Sequence, residues 1–165
     1  MDSSTIITLG IFILICAILF VIINSNKKKK TRQYLLPLNS LAEKDNCKIS
    51  QYDIWSDSVI GIDETQNVVF AIRKTKEKET SIAVNLAEVF RCSVAEISRT
   101  SGPKEGNIKA FDLIELVFTN KDKSKADRIV EFYNANSDRL TLTGELQLAE
   151  KWCKIANDKI ASISK

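Results

Sequence analysis

The stretch that decides the fold of this chain is residues 57–73, DSVIGIDETQNVVFAIR, in which two apolar runs flank the polar segment ETQN. The runs at 57–63 and 67–73 are rich in valine, isoleucine and phenylalanine, which favour β-strands. Because polar residues between two such runs are typical of a tight turn, the stretch predicts an antiparallel β-hairpin. The domain around it is therefore expected to be built on antiparallel sheet.

Apolar or alternating segments on both sides of this hairpin predict five further strands. They lie at residues 48–54, 81–86, 90–98, 108–119 and 128–133. Charged or glycine-containing segments at 75–79, 100–106 and 120–125 separate several of them as turns or loops. Seven short and mostly consecutive strands predict an antiparallel sheet that either closes as a barrel or folds over as a sandwich.

The last element has the period of a helix. From Glu145 onward the apolar residues form one stripe, made of Leu148, Trp152, Ile155, Ala156, Ile160 and Ile163. Thr143 is expected to cap this helix, and Glu145 suits the positive end of its dipole. Strands followed by one amphipathic C-terminal helix predict the α+β class.

An uncharged segment precedes the domain, and its core at residues 6–23 consists almost wholly of Ile, Leu, Phe, Val and Ala. Eighteen residues at ~1.5 Å each span about 27 Å, close to the thickness of bilayer hydrocarbon. A cleaved signal is disfavoured because Asp2, and no basic residue, precedes the run. A lipoprotein signal is disfavoured because Ile15 stands before Cys16. Residues 1–26 are therefore predicted to be an uncleaved transmembrane anchor.

Five basic side chains follow this run and none precedes it; they are Lys27, Lys28, Lys29, Lys30 and Arg32. Since basic residues beside a span stay in the cytoplasm, the sequence predicts a single-pass plasma (inner) membrane protein. Its N-terminus is then outside and residues 27–165 are cytoplasmic. The same side chains would attract anionic lipid, at ~1 kcal/mol each.

The positive charge of the chain belongs to this cluster. The chain holds 24 basic and 21 acidic residues; residues 1–34 contain five of the former and one of the latter, which leaves 19 and 20 for residues 35–165. A domain without a basic excess has little to offer a phosphate backbone, so no nucleic-acid partner is expected.

Residues 33–46, QYLLPLNSLAEKDN, connect the basic cluster to the first strand. Pro37 suits the first turn of a short helix with Leu38, Leu41 and Ala42 on one side. Three parts are therefore predicted: an anchor (1–26), a basic juxtamembrane segment with a short connector helix (27–46), and a cytoplasmic domain (47–165).

Residue types that carry catalysis are scarce. Because there is no histidine, Ser-His-Asp and Cys-His arrangements cannot form. The segment GPKEG (102–106) lacks the spacing of a phosphate-binding loop. Acids such as Asp112 and Glu115 would do acid–base work only where they converge in a pocket. No catalytic or cofactor-binding residue and no small-molecule substrate is therefore expected.

The four cysteines do not have the spacing of a zinc site, and no metal-binding residue is predicted. They are Cys16, Cys47, Cys92 and Cys153. The sequence leaves a disulfide among the last three open, and it favours a role as small packing residues.

The order of these elements resembles the pleckstrin-homology-like (PH-like) fold, which also occurs in bacterial membrane proteins. The hairpin around DETQN, the stretch SIAVNLAEVFRCSV (81–94) and the final helix with Trp152 carry the resemblance, which covers about residues 47–164. It implies that the final helix plugs an open end of the barrel. Phosphoinositide-binding members have basic residues between the first two strands, whereas this chain has IWSDS (54–58), so that lipid site is not carried over.

The anchor, the near-neutral domain and the missing catalytic residues together predict a membrane-tethered interaction or scaffold domain that binds a protein partner. Two alternatives stay open at this point. One is a membrane-anchored enzyme that works through carboxylates, and the other is a sensor of anionic lipid.

Overall fold

The computed structural model describes residues 31–75, 78–100, 109–138 and 142–164. The predicted membrane span at residues 6–23 and the lysines at 27–30 lie outside these ranges. Within the described ranges, no helix combines the length and the apolar character that crossing a membrane requires. The chain divides into two compact units, Met1–Pro37 and Leu38–Lys165.

Seven strands and a C-terminal helix in the described ranges confirm the α+β class with antiparallel strands. The first sheet contains, in spatial order, β1 (Gln51–Trp55), β2 (Ser58–Asp63), β3 (Val68–Lys74) and β4 (Glu79–Asn85). The second contains β5 (Val89–Thr100), β6 (Lys109–Asn120) and β7 (Arg128–Asn134). A 3₁₀ turn, Leu86–Glu88, links them. These described strands form two separate sheets and no closed barrel.

The central hairpin of β2 and β3 forms as predicted, with Asp63 paired to Val68 across the turn. The Asp63 carboxylate organises this turn by accepting three main-chain N–H groups. They come from Lys48 at 2.6 Å, Thr65 at 2.7 Å and Gln66 at 2.9 Å. Burial works against ionisation of this carboxyl, but the three hydrogen bonds outweigh it and hold the pKa of Asp63 below its usual value.

The lowered pKa of Asp63 predicts a loss of stability in acid. The contribution of Asp63 to the free energy of unfolding is full above the ordinary carboxyl pKa of ~3.9 and is lost as the pH falls through the lower folded pKa. Asp63→Asn, which keeps one acceptor oxygen, is expected to cost about 1–2 kcal/mol at pH 7.

Urea unfolding of the full-length protein in detergent, followed by tryptophan fluorescence between pH 3 and pH 7, measures this effect. The difference between wild type and Asp63→Asn should shrink toward pH 3. The exposed Asp158→Asn is the matched control. A pH-independent difference would contradict the prediction.

Strand β2 is buried along its whole length because both of its faces are covered. Ile60 and Ile62 face the main core, whereas Gly61 faces helix α1, whose described part covers residues 31–43. A β-carbon on Gly61 would lie 2.9 Å from both Leu38 Cδ2 and Ile49 Cγ2, so this position requires glycine. Leu38 and Ala42 of α1 are both 0% exposed. The C-terminal part of α1 therefore covers the outer face of the first sheet.

The predicted place of Pro37 in α1 is wrong. The helix is already formed at residue 31, so Pro37 lies in its interior instead of its first turn. Proline removes one intrahelical hydrogen bond there and disfavours a straight helix. The boundary between the two compact units falls directly after this residue.

Helix α2 (Glu145–Ile163) packs against β5 and β6 and fills the space between the sheets. Of the predicted apolar face, Trp152, Ala156 and Ile160 are buried. The other three predicted residues are partly buried against the same core; they are Leu148, Ile155 and Ile163. Ala149, which was not predicted, is also buried. Trp152 is 1% exposed and donates from Nε1 to Asp53 Oδ2 at 2.9 Å. This hydrogen bond joins α2 to β1 as well.

The predicted cap of α2 is wrong. Gly144, with φ of 116°, holds the N-cap position, and no side chain caps the helix. Thr143 instead donates its hydroxyl to Glu145 Oε1 at 2.9 Å. The left-handed backbone at Gly144 turns the Thr143 side chain back toward Glu145.

The edge of β5 next to α2 is closed by a side chain. Asn157 accepts the Cys92 N–H at its Oδ1 and donates from Nδ2 to the Cys92 carbonyl, both at 2.9 Å. One amide group of the helix thus makes the two hydrogen bonds that a neighbouring strand would make at this residue.

Candidate functional site

A buried arginine lies where the two sheets meet. Arg73, at the end of β3, is 7% exposed. Its Nη2 donates to Glu131 Oε1 at 3.0 Å and to Asp138 Oδ2 at 2.5 Å, and its Nε donates to Glu131 Oε1 at 3.3 Å. Nη1 donates to Ser58 Oγ at 3.4 Å. Since a buried charge is tolerated only when it is paired, these contacts fix the guanidinium in one place.

The two carboxylates are themselves held by the end of β7. The Asn134 N–H donates to Asp138 Oδ2 at 2.7 Å, and Asn134 Nδ2 donates to Glu131 Oε2 at 2.8 Å. Both oxygens of Glu131 are therefore occupied. The network joins β2, β3, β7 and the turn that follows β7.

An open cleft of about 310 Å³ adjoins this network. Apolar and polar side chains both line it, and it is bounded by the β3–β4 hairpin and by β7. The lining residues are Ala71, Arg73, Thr75, Lys78, Thr80, Ile82, Ile129, Val130, Glu131 and Ser137. This volume is at the lower end of the range for ligand-binding sites.

One wall of the cleft is the edge of β7. Three consecutive residues, 129–131, line it, although side chains of consecutive strand residues point to opposite faces. The Phe132 carbonyl points out from the same edge, since it accepts Trp55 Nε1–H at 2.9 Å. β7 is the last strand of its sheet, so the cleft lies beside a sheet edge as well as beside apolar side chains.

Glu115 and Glu131 lie opposite each other on β6 and β7. Burial and the neighbouring charge of Glu131 raise the pKa of Glu115 above its usual value. Among the acids considered as an acid–base pair, Asp112 instead binds Arg99, with Nε to Oδ2 at 2.7 Å. Arg99 holds the pKa of Asp112 below its usual value. Asp112 is thus bound to Arg99 and does not act as a pair with Glu115.

The predicted topology residues are mostly outside the described ranges. Lys27, Lys28, Lys29 and Lys30 are not described, whereas Arg32 is an exposed residue of α1. The GPKEG loop also lies outside. Trp55, the last residue of β1, is buried and stacks on Phe132 with ring centroids 4.5 Å apart.

Three cysteines lie in the described ranges, and all three are free thiols. Cys47 and Cys92 are buried and Cys153 is half-buried. Burial raises the pKa of the Cys47 and Cys92 thiols, which makes them poor nucleophiles. They act as packing residues here.

A scan against protein-family models and searches of curated proteins and of solved structures found no match. What the chain does must therefore be inferred from its own side chains. The cleft is the feature that sequence reasoning missed. A signal for it was present, because Arg73 continues the inward-facing series of Val69 and Ala71, and a charge at such a position needs buried partners.

Proposed function

We propose that the protein is a membrane-tethered interaction domain of the PH-like type, which binds a protein partner and has no catalytic activity. Residues 6–23 are the anchor in the plasma (inner) membrane. Lys27, Lys28, Lys29, Lys30 and Arg32 keep the domain cytoplasmic and contact anionic lipid.

The element order supports the PH-like part of the proposal. Four antiparallel strands, three antiparallel strands and a C-terminal helix follow one another along the chain. A tryptophan of that helix, Trp152, fills the space between the sheets. This is the arrangement expected of a PH-like domain with its terminal helix as a plug.

The observation that carries the protein-binding proposal is the cleft beside Arg73. It combines apolar side chains, a fixed guanidinium and the edge of β7. An extended peptide adds to a strand edge through main-chain hydrogen bonds and places alternate side chains in pockets. A strand edge and a pocket for side chains lie side by side in this cleft.

The two alternatives fit the described residues less well. Glu131 and Asp138 converge, but both carboxylates are bound to Arg73, so neither is placed to move a proton. A headgroup-binding sensor of anionic lipid would need basic residues in the turn between β1 and β2, and that turn, residues 56–57, contains none.

Membrane fractionation tests the anchor and its orientation. The full-length protein is expected to stay in the membrane after alkaline extraction, with a C-terminal cysteine tag that is labelled only after the membrane is opened. Replacement of the five basic residues by glutamine should leave membrane insertion intact and mix the orientation. A tag that is labelled from outside in the wild-type protein would contradict the proposal.

Site-specific photo-cross-linking tests the cleft. A photoreactive amino acid at Lys78 or Thr80, on the rim of the cleft, is expected to link the full-length protein to a discrete partner in cells. The same amino acid at Lys154, an exposed position of α2, is the control. Equal products at all three positions, or none at the cleft, would count against the cleft as the docking site.

A further inference from the structure

The two sheets differ in what covers their outer faces. The outer face of the first sheet is covered by Leu38 and Ala42 of α1. On the second sheet, α2 lies against the inner side together with Ile114 and Leu116. On its opposite side, which we call the β5–β7 outer face, Arg73 of β3 covers Glu131 at the β7 edge, whereas Ile97 and Ile129 are exposed.

Three cross-strand pairs make up this face. They are Ile97 with Leu113, Glu115 with Glu131, and Val117 with Ile129. Ile97 is 57% exposed and Ile129 is 48% exposed. An acidic pair is therefore flanked on both sides by apolar pairs, two members of which are unusually open to water.

Of the two acids, only Glu131 has a cationic partner among the described residues. Like charges directly opposite on neighbouring strands destabilise a sheet. Glu131 is compensated by Arg73 at 3.0 Å, but the ion pairs among the described residues include none with Glu115. A basic side chain placed over Glu115 from outside would supply the missing charge.

We propose that the β5–β7 outer face docks a basic amphipathic helix of a partner protein. A lysine or arginine of that helix lies over Glu115, and apolar residues on either side of it cover the two apolar pairs. The surface adjoins the cleft and shares Ile129 and Glu131 with it, but Ile97 and Glu115, which the test below replaces, do not line the cleft. The proposal does not depend on the membrane anchor.

The dimensions of the face suit one helix. Three strands at about 4.8 Å spacing place β5 and β7 roughly 10 Å apart, which matches the diameter of an α-helix. From Leu113 to Val117 the strand advances by about 14 Å, a distance that a helix covers in about nine residues. The apolar residues of the partner thus stand about one turn before and one turn after the basic one.

Charge disfavours a second copy of this chain as the occupant. Two copies joined through this face would bring a second uncompensated Glu115 carboxylate into the interface, whereas a lysine or arginine of a partner would supply a cation. Arg91, exposed on the same face beyond the Val117–Ile129 pair, adds a preference for an acidic residue at that end of the partner helix.

Two labelled peptides of 18 residues serve as probes. Both form amphipathic helices with the same leucine stripe, and they differ in one central residue, lysine or glutamate. Fluorescence anisotropy measures their binding to the full-length protein in zwitterionic nanodiscs, with empty nanodiscs as background. The lysine peptide is expected to bind at least tenfold more tightly than the glutamate peptide, and isoleucine methyl signals of residues 97 and 129 should shift.

Matched variants locate the site. Glu115→Lys is expected to weaken binding of the lysine peptide at least tenfold, and Ile97→Ser should weaken binding of both peptides. Glu43→Lys, at an exposed position of α1, makes the same charge change and should leave binding unaltered. The urea midpoint of each variant verifies folding, and Glu115→Lys should unfold no earlier than wild type because it opposes Glu131 with a cation. No binding above empty nanodiscs, equal binding of both peptides, or an equal loss in Glu115→Lys and Glu43→Lys would overturn the proposal.

Discussion

Replacement of Trp152 by alanine is expected to lower the free energy of unfolding by about 3–5 kcal/mol. Trp152 is among the largest fully buried side chains and contacts the core shared by both sheets. The substitution removes this buried volume and also leaves Asp53 without the 2.9 Å hydrogen bond from the indole. A loss of this size is a large part of the stability of a domain of this length.

Trp152→Phe separates the two contributions. It keeps most of the ring and removes only the indole N–H, so we expect a cost of about 1–2 kcal/mol. Lys151 still donates to Asp53 at 2.6 Å in this variant. Urea unfolding of the full-length protein, followed by circular dichroism, measures both changes. If alanine cost no more than phenylalanine, Trp152 would not be filling the core.

Replacement of Arg73 by methionine is the second change with a large expected effect, about 3 kcal/mol of unfolding free energy. Methionine replaces the aliphatic stem of arginine and lacks the guanidinium, so Asp138 and Glu131 are left without a cation. The side chain of Asp138 is only 12% exposed and that of Glu131 is 28% exposed. Breaking a buried ion pair from one side is costly because it leaves the other charge uncompensated.

The double variant Arg73→Met, Asp138→Asn tests this reason. Because the amide is neutral, the double variant should be more stable than Arg73→Met alone, which a loss of packing volume would not produce. Arg99→Met is the surface control: it breaks the ion pair with Asp112, but the Arg99 side chain is 80% exposed, and little change is expected. An Arg73→Met variant as stable as Arg99→Met would contradict the assignment.

Local patterns in the sequence predicted most of the strands. The apolar runs on either side of ETQN give the hairpin of β2 and β3, and the stripe with Trp152 gives α2. These predictions succeed because hydrophobic periodicity and turn chemistry act between near neighbours. Local patterns do not predict which element covers the outer face of β2. Residues 59–62, VIGI, are apolar on both faces, and the helix that covers them, α1, comes from a separate segment of the chain.

The candidate site could not be predicted from local sequence patterns, because its residues are far apart in the chain. Arg73 meets Glu131 and Asp138, which are 58 and 65 residues further along the chain. Arg73 stands out as a charge in an inward-facing series, but the local sequence around Glu131 and Asp138 does not mark them as its partners. Only the meeting of the two sheets brings the three side chains together. The acidic pair of the β5–β7 outer face likewise depends on the register of β6 and β7, which a bulge beside Ile114 shifts.

The amide of Asn157, bound to both main-chain groups of Cys92, has a consequence for solubility. An open strand edge invites the edge of another molecule and can begin aggregation. Because α2 occupies this position of β5, a second molecule that adds to β5 must first displace the helix amide. A single side chain, that of Asn157, thus blocks the addition of another strand at this position of the β5 edge.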